Sequence, residues 1–129
     1  MTKRLLLALA LLFPGVPVVA QDAPRALAHD VYFSLHDPTP AKRAELVAAC
    51  RKYLSGHDGV LFFSVGVLAS GLARPVNDRD FDVALHITFD GKASHDRYQE
   101  APRHKQFIEE QQSNWKKVRV FDSLVEVSR

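Results

Sequence analysis

Residues 81–107, FDVALHITFDGKASHDRYQEAPRHKQF, contain a strand, a turn and an interrupted helix in succession. Phe81, Val83, Leu85, Ile87 and Phe89 alternate with Asp82, Ala84, His86 and Thr88, the clearest period-2 run in the chain. That period predicts a half-buried strand. Asp90-Gly91 turns the chain, and Lys92 to Glu100 reads as helix. Pro102 lacks an amide hydrogen, so it ends that helix and opens a second helical piece at its favoured first position. The second piece runs to about Asn114 or Trp115. Tyr98 and His104 flank the break.

Upstream, Leu61, Phe63, Val65 and Val67 alternate with Phe62, Ser64, Gly66 and Leu68. Val60 to Leu68 is therefore a strand with two apolar faces, and both are expected to be covered. Ala69 to Arg79, with Gly71, Pro75, Asn77 and Asp78, reads as a loop. Thr39 is a good N-cap and Pro40 fits the first position of a helix that runs to about Leu54. Leu46, Val47, Cys50 and Leu54 share one side of it, and Gly56 is its expected terminator. His29 to His36 is the first strand, with Val31, Phe33 and Leu35 on one face. Lys117 to Val127 is the last.

The order is β-α-β-β-α-β. Right-handed crossovers make it an α+β, ferredoxin-like sandwich: a four-stranded antiparallel sheet with the helices on one face. The other sheet face carries apolar residues from the second strand, and a patch of that kind normally meets a partner.

Residues 1–20 have the features of a signal peptide: basic Lys3 and Arg4, an apolar stretch from Leu5 to Phe13, and Val18-Val19-Ala20 before Gln21. The run is interrupted by Pro14, Gly15 and Pro17, and falls short of the roughly 20 apolar residues that a membrane span needs. Cleavage after Ala20, export to periplasm or medium, and no membrane association afterwards are the expectations. Residues 21–28 are read as a flexible leader and 29–127 as one domain, large enough for a real core. Cleavage removes Lys3 and Arg4, leaving 15 basic against 15 acidic residues in place of the 17 and 15 of the full chain. No basic stripe with interleaved aromatics remains, so nucleic acid is not an expected partner. Cys50 is the lone cysteine and sits at helical spacing with core residues, so it reads as a buried core thiol.

His29, Tyr98 and His104 are the candidate site residues. Imidazole titrates near neutrality and can take or give a proton. A phenol beside it can hold or polarise a carbonyl. The competing role for these histidines is structural: His29 closing the first strand, and His104 satisfying backbone groups freed at the Pro102 break. No HxH, HxxxH or Cys-His cluster provides metal-ligand spacing, and no CxxCH marks haem attachment, so neither metal nor cofactor is expected. Ser64 and Ser70 lack a Gly-x-Ser-x-Gly context, and the glycines form no phosphate-binding loop.

The chain resembles the stress-responsive A/B barrel (Dabb) family over roughly residues 29–125. The matching pieces are His29 opening an apolar strand, Gly59-Val60 leading to Ser64-Val65-Gly66, and Phe81-Asp82-Val83-Ala84-Leu85. The Tyr98-to-His104 run and Trp115 followed by Val120-Phe121-Asp122 complete them. The resemblance implies a homodimer that packs two sheets face to face as a dimeric α+β barrel. It also implies a cavity between sheet and helices for a small apolar or aromatic ligand. The family is mostly of unknown activity, and whether this member is an enzyme or a binding or structural module stays open. Some plant members are polyketide cyclases that work without cofactor. By that resemblance His104 would be the base, Tyr98 would assist the enolate oxygen and His29 would anchor the substrate. Related barrels include cofactor-free monooxygenases and haem binders, for which His86 or His104 would be the axial ligand.

Overall fold

The computed structural model describes Gly15 and residues 25–128. The signal peptide expected at 1–20, Gly15 apart, and residues 21–24 of the leader lie outside the described residues. Among the described residues no helix is long and apolar enough to cross a membrane.

The elements are β1 (Ala26–Leu35), α1 (Pro40–Leu54), β2 (Val60–Val67), β3 (Val83–Phe89), α2 (Lys92–Glu100), α3 (Pro102–Gln111), a 3₁₀ turn (Gln112–Asn114) and β4 (Trp115–Val125). The four strands form one sheet in the order β2-β3-β1-β4, every pair antiparallel. This is the expected ferredoxin-like sandwich.

Register places Val31 between Leu85 and Val120, and Phe33 between Val83 and Val118. One sheet face thus presents Leu27, Val31, Phe33, Leu85, Ile87 and Phe89 to Leu46, Cys50 and Leu54 of α1, Tyr98 of α2 and Phe107 of α3. Leu46 is 2% exposed; emptying such a position to alanine typically costs about 2–5 kcal/mol. Cys50 is fully buried among these residues, and desolvation pushes its thiol up to about 12, so it is a core residue and not a nucleophile.

Capping agrees with the sequence. The Thr39 hydroxyl accepts from the Lys42 amide at 3.2 Å, and Gly56 follows α1 with φ +68°. Pro102 begins α3 as expected, and α2 closes with the Ala101 amide on the Tyr98 carbonyl at 3.1 Å.

Several boundaries differ from the sequence reading. β1 starts at Ala26, so residues 26–28 of the expected flexible leader are strand: Leu27 pairs with both Phe89 and Leu124. Small alanines gave no alternation signal there, but two flanking strands supply hydrogen-bond partners. β1 ends at Leu35, and the His36 amide instead meets the Asn114 carbonyl. β3 begins at Val83, not Phe81. Asp82 still bonds Phe33 and Leu68 through its backbone, while its carboxylate accepts from the Leu35 amide (2.8 Å) and from Arg43 Nη2 (2.9 Å). β4 runs from Trp115 to Val125, two residues ahead of the expected span at each end.

The second sheet face carries Asp30, Tyr32, His86 and Thr88 centrally, with Phe62 and Phe121 on the outer strands. Phe62 is 56% and Phe121 53% exposed, so this face is uncovered in a single copy. The 69–80 loop folds over its β4 side, where Arg119 meets Asp78 at 2.8 Å.

Candidate active site

β4 is one of the two edge strands, and the helices do not cover it. Val118 and Val120 face the helical side of the sheet yet stay 37% and 49% exposed. The gap between this edge and α3 is a cavity of about 180 Å³ whose lining includes His29, Tyr98, His104, Phe107, Trp115 and Val120. A larger cleft, about 500 Å³, lies on the opposite sheet face among Tyr32, Val76, Asp78 and Phe121. The candidate residues are absent from it, and it belongs to the uncovered face.

His29, Tyr98 and His104 therefore meet at one cavity. His29 is an inward residue of β1 because it shares the parity of Val31 and Phe33. Its register partner on β4 is Asp122, and His29 Nδ1 lies 2.6 Å from Asp122 Oδ1. Tyr98 comes from the buried face of α2, and its ring centroid lies 6.0 Å from His29 and 4.6 Å from His104. His104 sits in the first turn of α3. Its Nδ1 lies 3.1 Å from the Gln99 carbonyl oxygen. A carbonyl only accepts, so Nδ1 carries the hydrogen and Nε2 keeps a lone pair. This bond also satisfies a carbonyl freed by the Pro102 break, the structural role anticipated for His104. The one side chain does both.

Burial, and then the neighbouring His29, His57 and His95, hold the His104 pKa below its ordinary value, although the bond to Gln99 pulls the other way. His104 is therefore neutral at pH 7. Burial pushes the Tyr98 phenol well above its ordinary range, so it stays protonated and can only donate to a ligand or accept from one.

The sequence reading missed two contributors. Asp122 alternates with Val118 and Val120 on β4, and this parity marks it as an inward polar residue beside an inward histidine. His95 lies one helical turn before Tyr98, and its ring centroid is 4.9 Å from that of His29. His95 and His104 lie on either side of the Pro102 break, and both rings border Tyr98, because the two short helices bend around it. One nitrogen each from His29 and His95 and one oxygen of Asp122 lie within 4.8 Å of one another, a group suited to holding a metal ion that no local spacing announced. His86, by contrast, is on the other sheet face, paired with Asp30 at 2.7 Å.

The sequence matches the stress responsive A/B barrel domain over residues 27–125. No curated protein matches it. Among solved structures, it is similar to a Dabb family protein with a ferredoxin-like fold from Mesorhizobium loti (21% identity, 80% of this chain and 99% of that one, TM-score 0.65). It is also similar to a dimeric ferredoxin-like protein of unknown function from Thermobifida fusca (19% identity, 82% and 96%, TM-score 0.67). A third similar structure is a hydroxynitrile lyase from Passiflora edulis (17% identity, 83% and 99%, TM-score 0.65). At these identities the structures share the fold.

Proposed function

We propose that this chain, which belongs to the stress responsive A/B barrel domain family, binds a small aromatic or apolar carbonyl compound and moves a proton on it without a cofactor. The observation that supports this reading is the convergence of Tyr98, His29 and His104 on a cavity whose other walls, Gln99 apart, are apolar. Its volume, about 180 Å³, slightly exceeds the roughly 150 Å³ that accommodates benzene in an engineered protein cavity. The volume has room for a single ring or its aliphatic equivalent.

The chemistry follows from the protonation states. His104 Nε2, neutral and unprotonated, takes a proton from a carbon next to a carbonyl. The C–H electron pair moves onto the carbonyl oxygen as an enolate, and the Tyr98 hydroxyl donates a hydrogen bond to that oxygen. His29, oriented by Asp122, anchors the second polar group. If the enolate carbon attacks another carbonyl of the same molecule, a C–C bond forms and the proton on His104 neutralises the new alkoxide. The outcome is an aldol-type cyclisation. The Passiflora relative in fold is named as a lyase, so this architecture accommodates enzymatic chemistry.

The test is exchange of an acidic C–H in D₂O. A monocyclic aromatic β-diketone should gain deuterium faster with the protein than without it, and His104→Ala should remove the difference while circular dichroism shows an intact fold. Unfolding of His104→Ala together with no protein-dependent exchange in the wild type would leave only the structural role of the Gln99 contact.

Homodimerisation through the uncovered sheet face belongs to the same proposal; exposed Phe62 and Phe121 support it, as does the dimeric Thermobifida structure. Export with cleavage after Ala20 is likewise proposed. An exported product whose intact mass starts at Gln21 is the expected result, and an unprocessed chain retained in the cell would oppose it.

A further inference from the structure

We propose that His29, His95 and Asp122 form a binding site for one divalent first-row transition metal of the zinc, cobalt or nickel class. The three donors come from three elements, β1, α2 and β4, that the fold holds in fixed relation. One donor atom from each lies within 4.8 Å of the others. A metal held at roughly 2.0–2.1 Å in tetrahedral geometry places its ligands about 3.4 Å apart. His29 Nδ1 and Asp122 Oδ1, now 2.6 Å apart, need to open by less than about 1 Å, and the hydrogen they share is the one that a cation displaces.

The donor chemistry selects the class. Two imidazoles and one carboxylate suit zinc and its neighbours, whereas magnesium and calcium prefer oxygen ligands alone. His95 Nε2 accepts from the Gln99 side-chain amide at 3.1 Å, so the ring hydrogen is on Nδ1, facing Asp96 at 3.7 Å; ligation through Nε2 requires the Gln99 amide to swing aside and give up that lone pair. A carboxylate behind a ligating imidazole is the usual outer support of such sites. Access comes from the Asp122 side, 47% exposed on the edge strand, while His29 is buried. Three protein ligands leave a fourth position open, and His29 also lines the cavity. The site shares His29 and Asp122 with the proposed substrate anchor but uses neither His104 nor Tyr98, and metal binding is read directly, so its test does not depend on turnover.

The experiment titrates the untagged, chelator-treated full chain with Co²⁺ and Zn²⁺. The expected results are one Co²⁺ per chain with the visible absorption of tetrahedral cobalt, Zn²⁺ binding of equal stoichiometry, and a raised Tm. His95→Ala and Asp122→Asn should each weaken binding by at least about tenfold, the effect of losing a ligand or its support. His86→Ala, which breaks the His–Asp pair on the other sheet face, should leave it unchanged. No saturable binding, or binding indifferent to Asp122→Asn in a variant that circular dichroism shows to be folded, would overturn the proposal. So would a loss of binding in His86→Ala alone.

Discussion

In the proposed reaction His104 serves fold and chemistry together. Its Nδ1–H caps the Gln99 carbonyl, left free by the break between α2 and α3, and the same bond fixes the tautomer that leaves Nε2 free. Burial lowers the pKa of His104, and of His95, relative to the ordinary imidazole value of 6.5. For a histidine whose folded pKa is depressed, the unfolded chain binds more protons between the two values. The stability contribution is therefore fully present above pH 6.5 and is lost as pH falls through the lower folded value. Tm should drop on acidification from pH 7.5 to 5.5, and His104→Gln should flatten that dependence. A Tm that rises on acidification would contradict the assignment. The same protonation silences the proposed base, so turnover should fade at acidic pH with a midpoint below 6.5.

At the scale of elements, the turn joining α1 to β2 is the least replaceable part. Gly59 has φ +82°, and a Cβ built there would strike the side chain of Ser94 at the start of α2. Ser94 is buried and bonded to Asp90, so it has little room to move. Gly59→Ala should therefore destabilise the protein by more than about 2 kcal/mol in urea denaturation, combining left-handed backbone strain with the clash. The position matters for the site, because α2 carries His95 and Tyr98. Element existence and type were legible in the sequence: period-2 alternation in 81–89, the Thr39-Pro40 start and the Pro102 break are local signals. Boundaries were less so. Ala26–Ala28 lack a pattern and join β1 only because Phe89 and Leu124 are already in place beside them. Asp82 keeps backbone bonds to Phe33 and Leu68, but its carboxylate pairs with Arg43, a contact between distant segments that no window reveals.

At the scale of the molecule, the sheet has one covered face and one bare one. His29, Tyr98 and His104 were readable because each stood out in its own segment. Asp122 and His95 were not, since their roles depend on strand register and on how two short helices bend round a tyrosine. The bare face sets the predicted assembly. Phe62→Glu places a charge on this face and should convert the proposed dimer to a monomer in sedimentation analysis, without loss of helical signal. An unchanged sedimentation coefficient would show that the interface lies elsewhere.

The cavity is the centre of the account, and proton transfer inside it is most directly measured by C–H exchange of a monocyclic aromatic β-diketone in D₂O, followed by NMR with wild-type, Tyr98→Phe and His104→Ala proteins. The account predicts exchange accelerated by the wild type, slowed roughly tenfold or more in Tyr98→Phe and reduced to the protein-free rate in folded His104→Ala. Equal rates with all three proteins and with buffer would contradict it.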